Sequence, residues 1–105
     1  MSARARAPMR GVIVEDALQL TLVELTRACG AHTDMVVALV DEGVLAPSGG
    51  SPQQWRFGGA ALRRARVALR LARDLELNMA GVALVLDLLD QLEALQAQLR
   101  RRGER

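Results

Sequence analysis

The sequence predicts a mainly α fold: a winged helix-turn-helix domain with a small β-hairpin wing, followed by a C-terminal helix suited to dimerisation. Three observations predict it. Two short helical segments, each with a start and a stop signal, are separated only by "GAHT". A stretch punctuated by proline and glycine then leads into Trp55-Arg56-Phe57. From Val85 onward apolar residues recur at alternating spacings of three and four.

The bulk composition agrees. A chain of 105 residues makes one domain with room for an appended helix. Half the residues are hydrophobic, but there is one Trp, one Phe and no Tyr, so the core must be built from Leu, Val and Ala. The single cysteine excludes an intramolecular disulfide and suits a reducing, cytoplasmic setting. Cys29 follows an alanine in an apolar helical pattern. It reads as a small buried hydrophobe rather than a nucleophile, because the only histidine, His32, gives it no charged partner. No stretch is long or apolar enough to span a bilayer, and no signal-peptide core follows the basic "MSARARAPMR".

Each element has its own local reason. Residues 1–10, with small residues, Arg and Pro8, read as a flexible basic arm. "GVIVE" at 11–15 is β-branched and reads as a short strand. Thr21 with Glu24 three residues on forms a capping box that opens the first helix. Leu22, Leu25, Ala28 and Cys29 give that helix its apolar face, and Gly30 ends it. Thr33 or Asp34 caps the second helix, Val36, Val37, Leu39 and Val40 form its stripe, and Gly43 closes it. Gly49, Gly50 and Pro52 suit a hairpin tip, and Trp55 and Phe57 alternate around Arg56 to share one strand face. They read as the two largest pieces of the core.

Residues 59–75 predict a third helix, with Leu62, Ala65, Leu69 and Ala72 on one face and Arg63, Arg66, Arg70 and Arg73 on a neighbouring one. That arginine stripe is either a solvated face or an electrostatic dock for acidic groups. Asn78 caps the last helix, and Gly81 in its first turn suggests a close helix–helix approach. Val85, Leu88, Leu92, Leu95 and Leu99 then form an a/d seam. A helix this short is marginal alone, so the seam needs a partner: a second copy, or the chain's own domain. The chain thus divides into an arm at 1–10, a winged helix domain at 11–76 and a coiled-coil-like helix at 77–102.

Charge falls in blocks. Residues 11–54 carry six acids against Arg27, a local balance of −5, whereas residues 55–73 hold six arginines and no acid. Residues 74–93 hold five acids and no arginine. His32, Cys29 and the scattered carboxylates form no nucleophile–base pair and no metal-ligand spacing, and "SGGSPQQ" lacks the Lys-Ser/Thr end of a phosphate loop. The sequence therefore points away from an enzyme and calls for no metal and no cofactor.

From Trp55 to Leu95, "WRFGGAALRRARVALRLARDLELNMAGVALVLDLLDQLEAL" resembles the chaperone-modulator CbpM family, relatives of the MerR-type regulators that include the heat-shock repressor HspR. The similarity extends over about residues 20–100. Its most specific part is 66–92, with Arg70, Leu71, Asp74, Leu75, Leu77, Gly81 and the Leu-Asp-Leu-Leu run at 86–89. The resemblance implies a MerR-like fold, a cytoplasmic location and no covalent chemistry. It implies a small protein that binds the J-domain of a co-chaperone of the CbpA/DnaJ type and limits its stimulation of a DnaK-type chaperone.

The departures from MerR-type DNA binders sharpen this. Those proteins usually carry an Arg and an aromatic in the second helix, and a pair of basic residues in the wing. Here "DMVVALVDEG" has no cation and the wing has Arg56 alone. Phosphate and base contacts need Lys or Arg. J-domains generally expose a basic helix, so a competitor needs acidic groups on a rigid platform. Asp34 and Asp41, seven apart, share one helical face with Glu42 beside them, and Glu24 adds from the first helix. Asp87 and Asp90 on the last helix are the alternative dock. Each of these carboxylates equally suits capping, solubility or pairing with the arginine stripe. The rival reading is a dimeric, HspR-like DNA-binding regulator that uses Arg56, Arg63, Arg64 and Arg66, with nucleic acid as its partner.

Overall fold

Thr21 opens the first helix, α1 (Leu22–Cys29), through the expected reciprocal pair. Its hydroxyl accepts the Glu24 amide at 3.1 Å, and its own amide donates to the Glu24 carboxylate at 2.9 Å. Two of the helix's orphan amides are thereby satisfied. Gly30 stops α1 in the left-handed region, with φ 64°, so that the Gly30 and Ala31 amides reach back to the Arg27 and Thr26 carbonyls. These features belong to a computed structural model that describes residues 17–103. The expected arm at 1–10 and strand at 11–15 lie outside the described residues.

The buried face of α1 differs by one residue from the expectation. Leu25 is fully buried and Leu22 and Cys29 pack partly against the core, but Ala28 is exposed and Thr26 takes its place inside. The Thr26 hydroxyl has no hydrogen-bond partner there.

The second helix, α2 (Thr33–Asp41), starts differently from either expected cap. His32 occupies the capping position in extended backbone and makes no side-chain bond, while its carbonyl accepts the Met35 amide at 3.0 Å. Thr33 and Asp34 are therefore already inside the first turn. The far end behaves as predicted: Gly43, with φ 79°, lets the Val44 amide return to the Leu39 carbonyl at 2.8 Å.

The wing is where the predicted architecture is not realised as drawn. Among the described residues there is no sheet, only two isolated antiparallel bridges, Leu20 with Phe57 and Ser48 with Arg56. Each is closed by a reciprocal pair of backbone bonds, both 2.8 Å in the first and 3.0 and 3.1 Å in the second. The loop between Ser48 and Arg56 folds into a short 3-10 turn at Pro52–Gln54 instead of continuing a ladder. The Gln54 and Trp55 amides donate back into that turn, to the Ser51 and Pro52 carbonyls, so pairing stops at one bridge.

After Gly58 the chain forms α3 (Gly59–Asp74), and after a tight corner α4 (Met79–Gly103). The corner turns on Glu76, a non-glycine residue at φ 54°, which sends the Leu77 amide back to the Ala72 carbonyl at 3.1 Å. Asn78 caps α4 as predicted, its side-chain oxygen accepting the Gly81 amide at 2.8 Å. The reason for Gly81 is local and not a helix–helix approach. A Cβ there would meet the Asn78 side-chain oxygen at 3.3 Å and the Leu77 side chain at 3.6 Å.

The core forms where the helices meet. Leu25, Val36, Leu39, Val44, Leu45, Phe57, Ala65, Ala68, Val82 and Leu86 are all buried. Leu25 comes from α1, Val36 and Leu39 from α2, the alanines from α3 and the last two from α4. Phe57 is completely buried, and Trp55 packs edge-on against it with ring centroids 6.1 Å apart. The two aromatics are thus core pieces, as their alternation suggested. Ala65 and Ala68 are small enough for α1 and α4 to approach α3 closely.

Candidate functional site

In a helix-turn-helix unit the second helix is the probing element. Here that helix presents carboxylates. Asp34 in the first turn of α2, Asp41 at its last position and Glu42 at its cap are all exposed, and no basic residue lies in the last turn. The seven-residue spacing of Asp34 and Asp41 is nearly two full turns, so they share one side of the helix, roughly 10 Å apart along its axis. Anionic groups at this C-terminal end lie where the helix dipole is already negative.

The other candidate acids are engaged within the fold. Glu24 is held in the capping box, where the Thr21 backbone amide lowers its pKa and Arg56 and Arg27 add smaller attractions. Asp87 accepts the Gln91 side-chain amide at 3.0 Å. Asp90 receives two bonds from Arg64, at 3.0 and 3.3 Å. The structure thus gathers Asp34, Asp41 and Glu42 on one helix, and places Asp87 and Asp90 on another.

The cations of the rival reading are also distributed. Arg64 donates its Nε to the Val44 carbonyl at 2.8 Å besides holding Asp90, so each of its three nitrogens makes an internal bond. Arg56 is exposed and donates to the neighbouring Trp55 carbonyl at 2.8 Å. Arg63, Arg66, Arg70 and Arg73 lie along the exposed side of α3, and Arg73 sits 3.4 Å from Asp74. Burial raises the pKa of the half-buried Cys29, with Arg66 opposing, which favours the protonated thiol.

Past its buried Val82 and Leu86, α4 carries a second exposed surface. Leu88, Leu92, Leu95 and Leu99 are 53%, 50%, 56% and 66% exposed, and only Val85 of the seam is half-buried. The seam therefore does not pack back on its own domain. Leu84 and Leu89 widen the apolar surface on either side. Sequence reasoning missed Arg64 as the residue that ties Val44, α3 and α4 together. Its partners lie 20 and 26 positions away, and no local pattern signals them.

A helix-turn-helix pair, a bridged loop at the wing position and a long projecting helix define the scaffold of a helix-turn-helix regulator, here with an acidic probing helix. Residues 20–102 match the family described as MerR HTH family regulatory protein. The chain is 38% identical over 92 residues to the chaperone modulatory protein CbpM of Coxiella burnetii (strain Dugway 5J108-111), covering 88% of this chain and 87% of that protein. It is 37% identical over 81 residues to CbpM of Pseudomonas putida (strain W619), covering 77% and 80%. CbpM of Pseudomonas entomophila (strain L48) is 33% identical over a stretch of the same length. The chain belongs to the CbpM family of chaperone modulatory proteins, a branch of the MerR-type helix-turn-helix proteins.

Among the described residues no helix is long and apolar enough to cross a membrane, and no group of three His, Cys, Asp or Glu side chains is placed to hold a metal.

Proposed function

We propose that this protein is a non-enzymatic, cytoplasmic modulator that binds the J-domain of a CbpA/DnaJ-type co-chaperone and so limits stimulation of a DnaK-type chaperone. One observation carries the reading: the probing helix α2 exposes Asp34, Asp41 and Glu42 and offers no cation in its last turn. A duplex meets repulsion there, whereas the basic helix of a J-domain meets complementary charge. Kinship to proteins named chaperone modulatory supports the same conclusion. In this reading Glu24 on α1 adds to the dock, and Asp87 and Asp90 form a lesser acidic surface.

The working form in this reading is a homodimer. Each half-exposed Leu that a second chain covers contributes roughly 1–2 kcal/mol, and the seam from Val85 through Leu88, Leu92 and Leu95 to Leu99 offers several. Light scattering should report twice the chain mass for the wild type and one chain mass for Leu92→Arg.

Calorimetry with a purified J-domain tests the docking. At low salt, where charge-driven association is strongest, a complex should form. Reversing both Asp34→Lys and Asp41→Lys should weaken it by about tenfold or more. No heat at low salt rejects the reading, and unchanged affinity in the double variant moves the dock to Asp87 and Asp90. The rival, a DNA-binding regulator working through Arg56, Arg63 and Arg66, is supported by the MerR kinship. A gel shift that is specific and salt-sensitive would favour it.

A further inference from the structure

The exposed flank of α3 carries Arg63, Arg66, Arg70 and Arg73 within one narrow arc, over about 15 Å of the helix axis. Among the described residues neither Arg66 nor Arg70 holds an ion pair. We propose that this flank docks the acidic face of α2 from a second copy of the chain, in a head-to-tail contact distinct from the leucine seam.

Three observations converge on that occupant. The first is length, because carboxylates bound the stripe at both ends. Arg63 lies on the groove between α3 and α4 together with Asp90 and Glu93, and the Arg64–Asp90 ion pair spans that groove. Arg73 sits beside Asp74, and exposed Glu76 follows. A long polyanion would run onto these acids at either end and be repelled. The flank therefore suits a short acidic ligand of about two helical turns.

The second is pitch. Asp34 and Asp41 on α2 are seven apart, as are Arg63 and Arg70, and Arg66 and Arg73. Each pair is separated by about 10 Å along its own helix. Two such helices laid side by side match carboxylate to guanidinium at both points, with Glu42 beside the second.

The third is that one chain cannot make this contact within itself. α2 and α3 each pack on α1 and on α4. They hold opposite corners of the bundle, so their exposed flanks face away from one another. Among the described residues none of Asp34, Asp41 and Glu42 pairs with an arginine of α3. Complementary surfaces on opposite sides of one molecule meet only between molecules, and such a contact repeats from copy to copy.

Exposed ion pairs contribute little one by one and are screened by salt. The contact therefore forms at low salt and high chain concentration, and it covers the carboxylates of α2. That it would mask J-domain docking rests on the reading proposed above; the self-contact does not.

Light scattering on the full chain tests the self-contact with no J-domain present. In about 1 M salt the mass should sit at the value set by the seam. In about 0.01 M salt it should rise at least about twofold above that value and increase further with protein concentration. Arg66→Glu with Arg70→Glu should abolish the rise, and so should Asp34→Lys with Asp41→Lys. Mixing these two variants should restore it, because their reversed faces complement each other. Arg101→Glu with Arg102→Glu, the same change of charge at the end of α4, should leave the rise intact. The proposal is overturned by no rise in the wild type, a rise that survives either face reversal, a mixture that stays small, or loss of the rise in the α4 control. If the wild type shows no rise but binds a short DNA duplex, and Arg66→Glu with Arg70→Glu abolishes that binding, the occupant is nucleic acid instead.

Discussion

Arg64 on α3 grips Asp90 on α4 with both terminal nitrogens, at 3.0 and 3.3 Å, while its Nε donates to the Val44 carbonyl at 2.8 Å. One side chain thereby joins the end of the helix-turn-helix to both later helices. The three contacts are unequal. The ion pair is solvated, with side chains 34% and 51% exposed, so Asp90→Asn should cost less than about 1 kcal/mol. Arg64→Ala also strips a charged donor from the carbonyl of buried Val44 and should cost about 1–3 kcal/mol. Arg64→Lys should fall between, because an ammonium cannot fork to both partners. Urea unfolding at one fixed protein concentration measures all three. Equal losses in the Asp90 and Arg64→Ala variants would show that the ion pair dominates.

Gly49 and Gly43 predict a graded response to alanine. Gly49 has φ 104°, and a Cβ there would collide with the Gln54 carbonyl. Gly43 has φ 79° with open space around it. Gly49→Ala should therefore cost about 2 kcal/mol or more, through strain and a backbone clash. Gly43→Ala should cost about 1 kcal/mol, the left-handed penalty alone. Thermal unfolding of both variants gives the order, and a reversed order would refute the account of the wing loop.

Glu76 turns the α3–α4 corner at φ 54° without being glycine. Glu76→Gly removes the steric penalty at some cost in unfolded-chain entropy, a net gain of about 0.5–1 kcal/mol. Glu76→Ala keeps the Cβ and should gain nothing. Denaturant midpoints of the two variants separate relief of backbone strain from removal of charge.

Acid should loosen α1 through Glu24. The Thr21 amide holds this carboxyl below its ordinary value in the folded state. A group whose folded pKa is lowered stabilises above its unfolded pKa, and that contribution disappears as pH falls through the folded value. Glutamine at the same position still closes a capping box but does not titrate. The melting temperature of Glu24→Gln should consequently fall less than that of the wild type between about pH 6 and pH 3. Parallel curves would assign the acid sensitivity to other carboxylates.

Much of this molecule was legible before any coordinates. Thr21 and Glu24, Gly30, Gly43 and Asn78 all act where the sequence placed them, because caps are made by residues within a few positions of one another. The kinship was legible for a similar reason: the resemblance rests on residue types in sequence order, most specifically over 66–92. Misplaced features were those decided by competition. His32 takes the cap of α2 because its carbonyl reaches the Met35 amide, and Thr26 rather than Ala28 is buried because α1 must face two helices at once. The wing closes as a single bridge because the 3-10 turn at Pro52–Gln54 takes the Gln54 and Trp55 amides that a longer ladder would use.

Residue order alone determined the helices, most of their ends, the charge blocks and the leucine spacing of α4, since each depends on neighbours along the chain. Only tertiary packing decided that Asp90 and Arg64 neutralise each other, that Leu88, Leu92, Leu95 and Leu99 stay uncovered by their own domain, and that a groove opens beside α3. Those outcomes depend on which helix faces which across separations of twenty or more residues. Local propensity carries no information about such distances, and burial and charge pairing across them are settled only when the whole core closes.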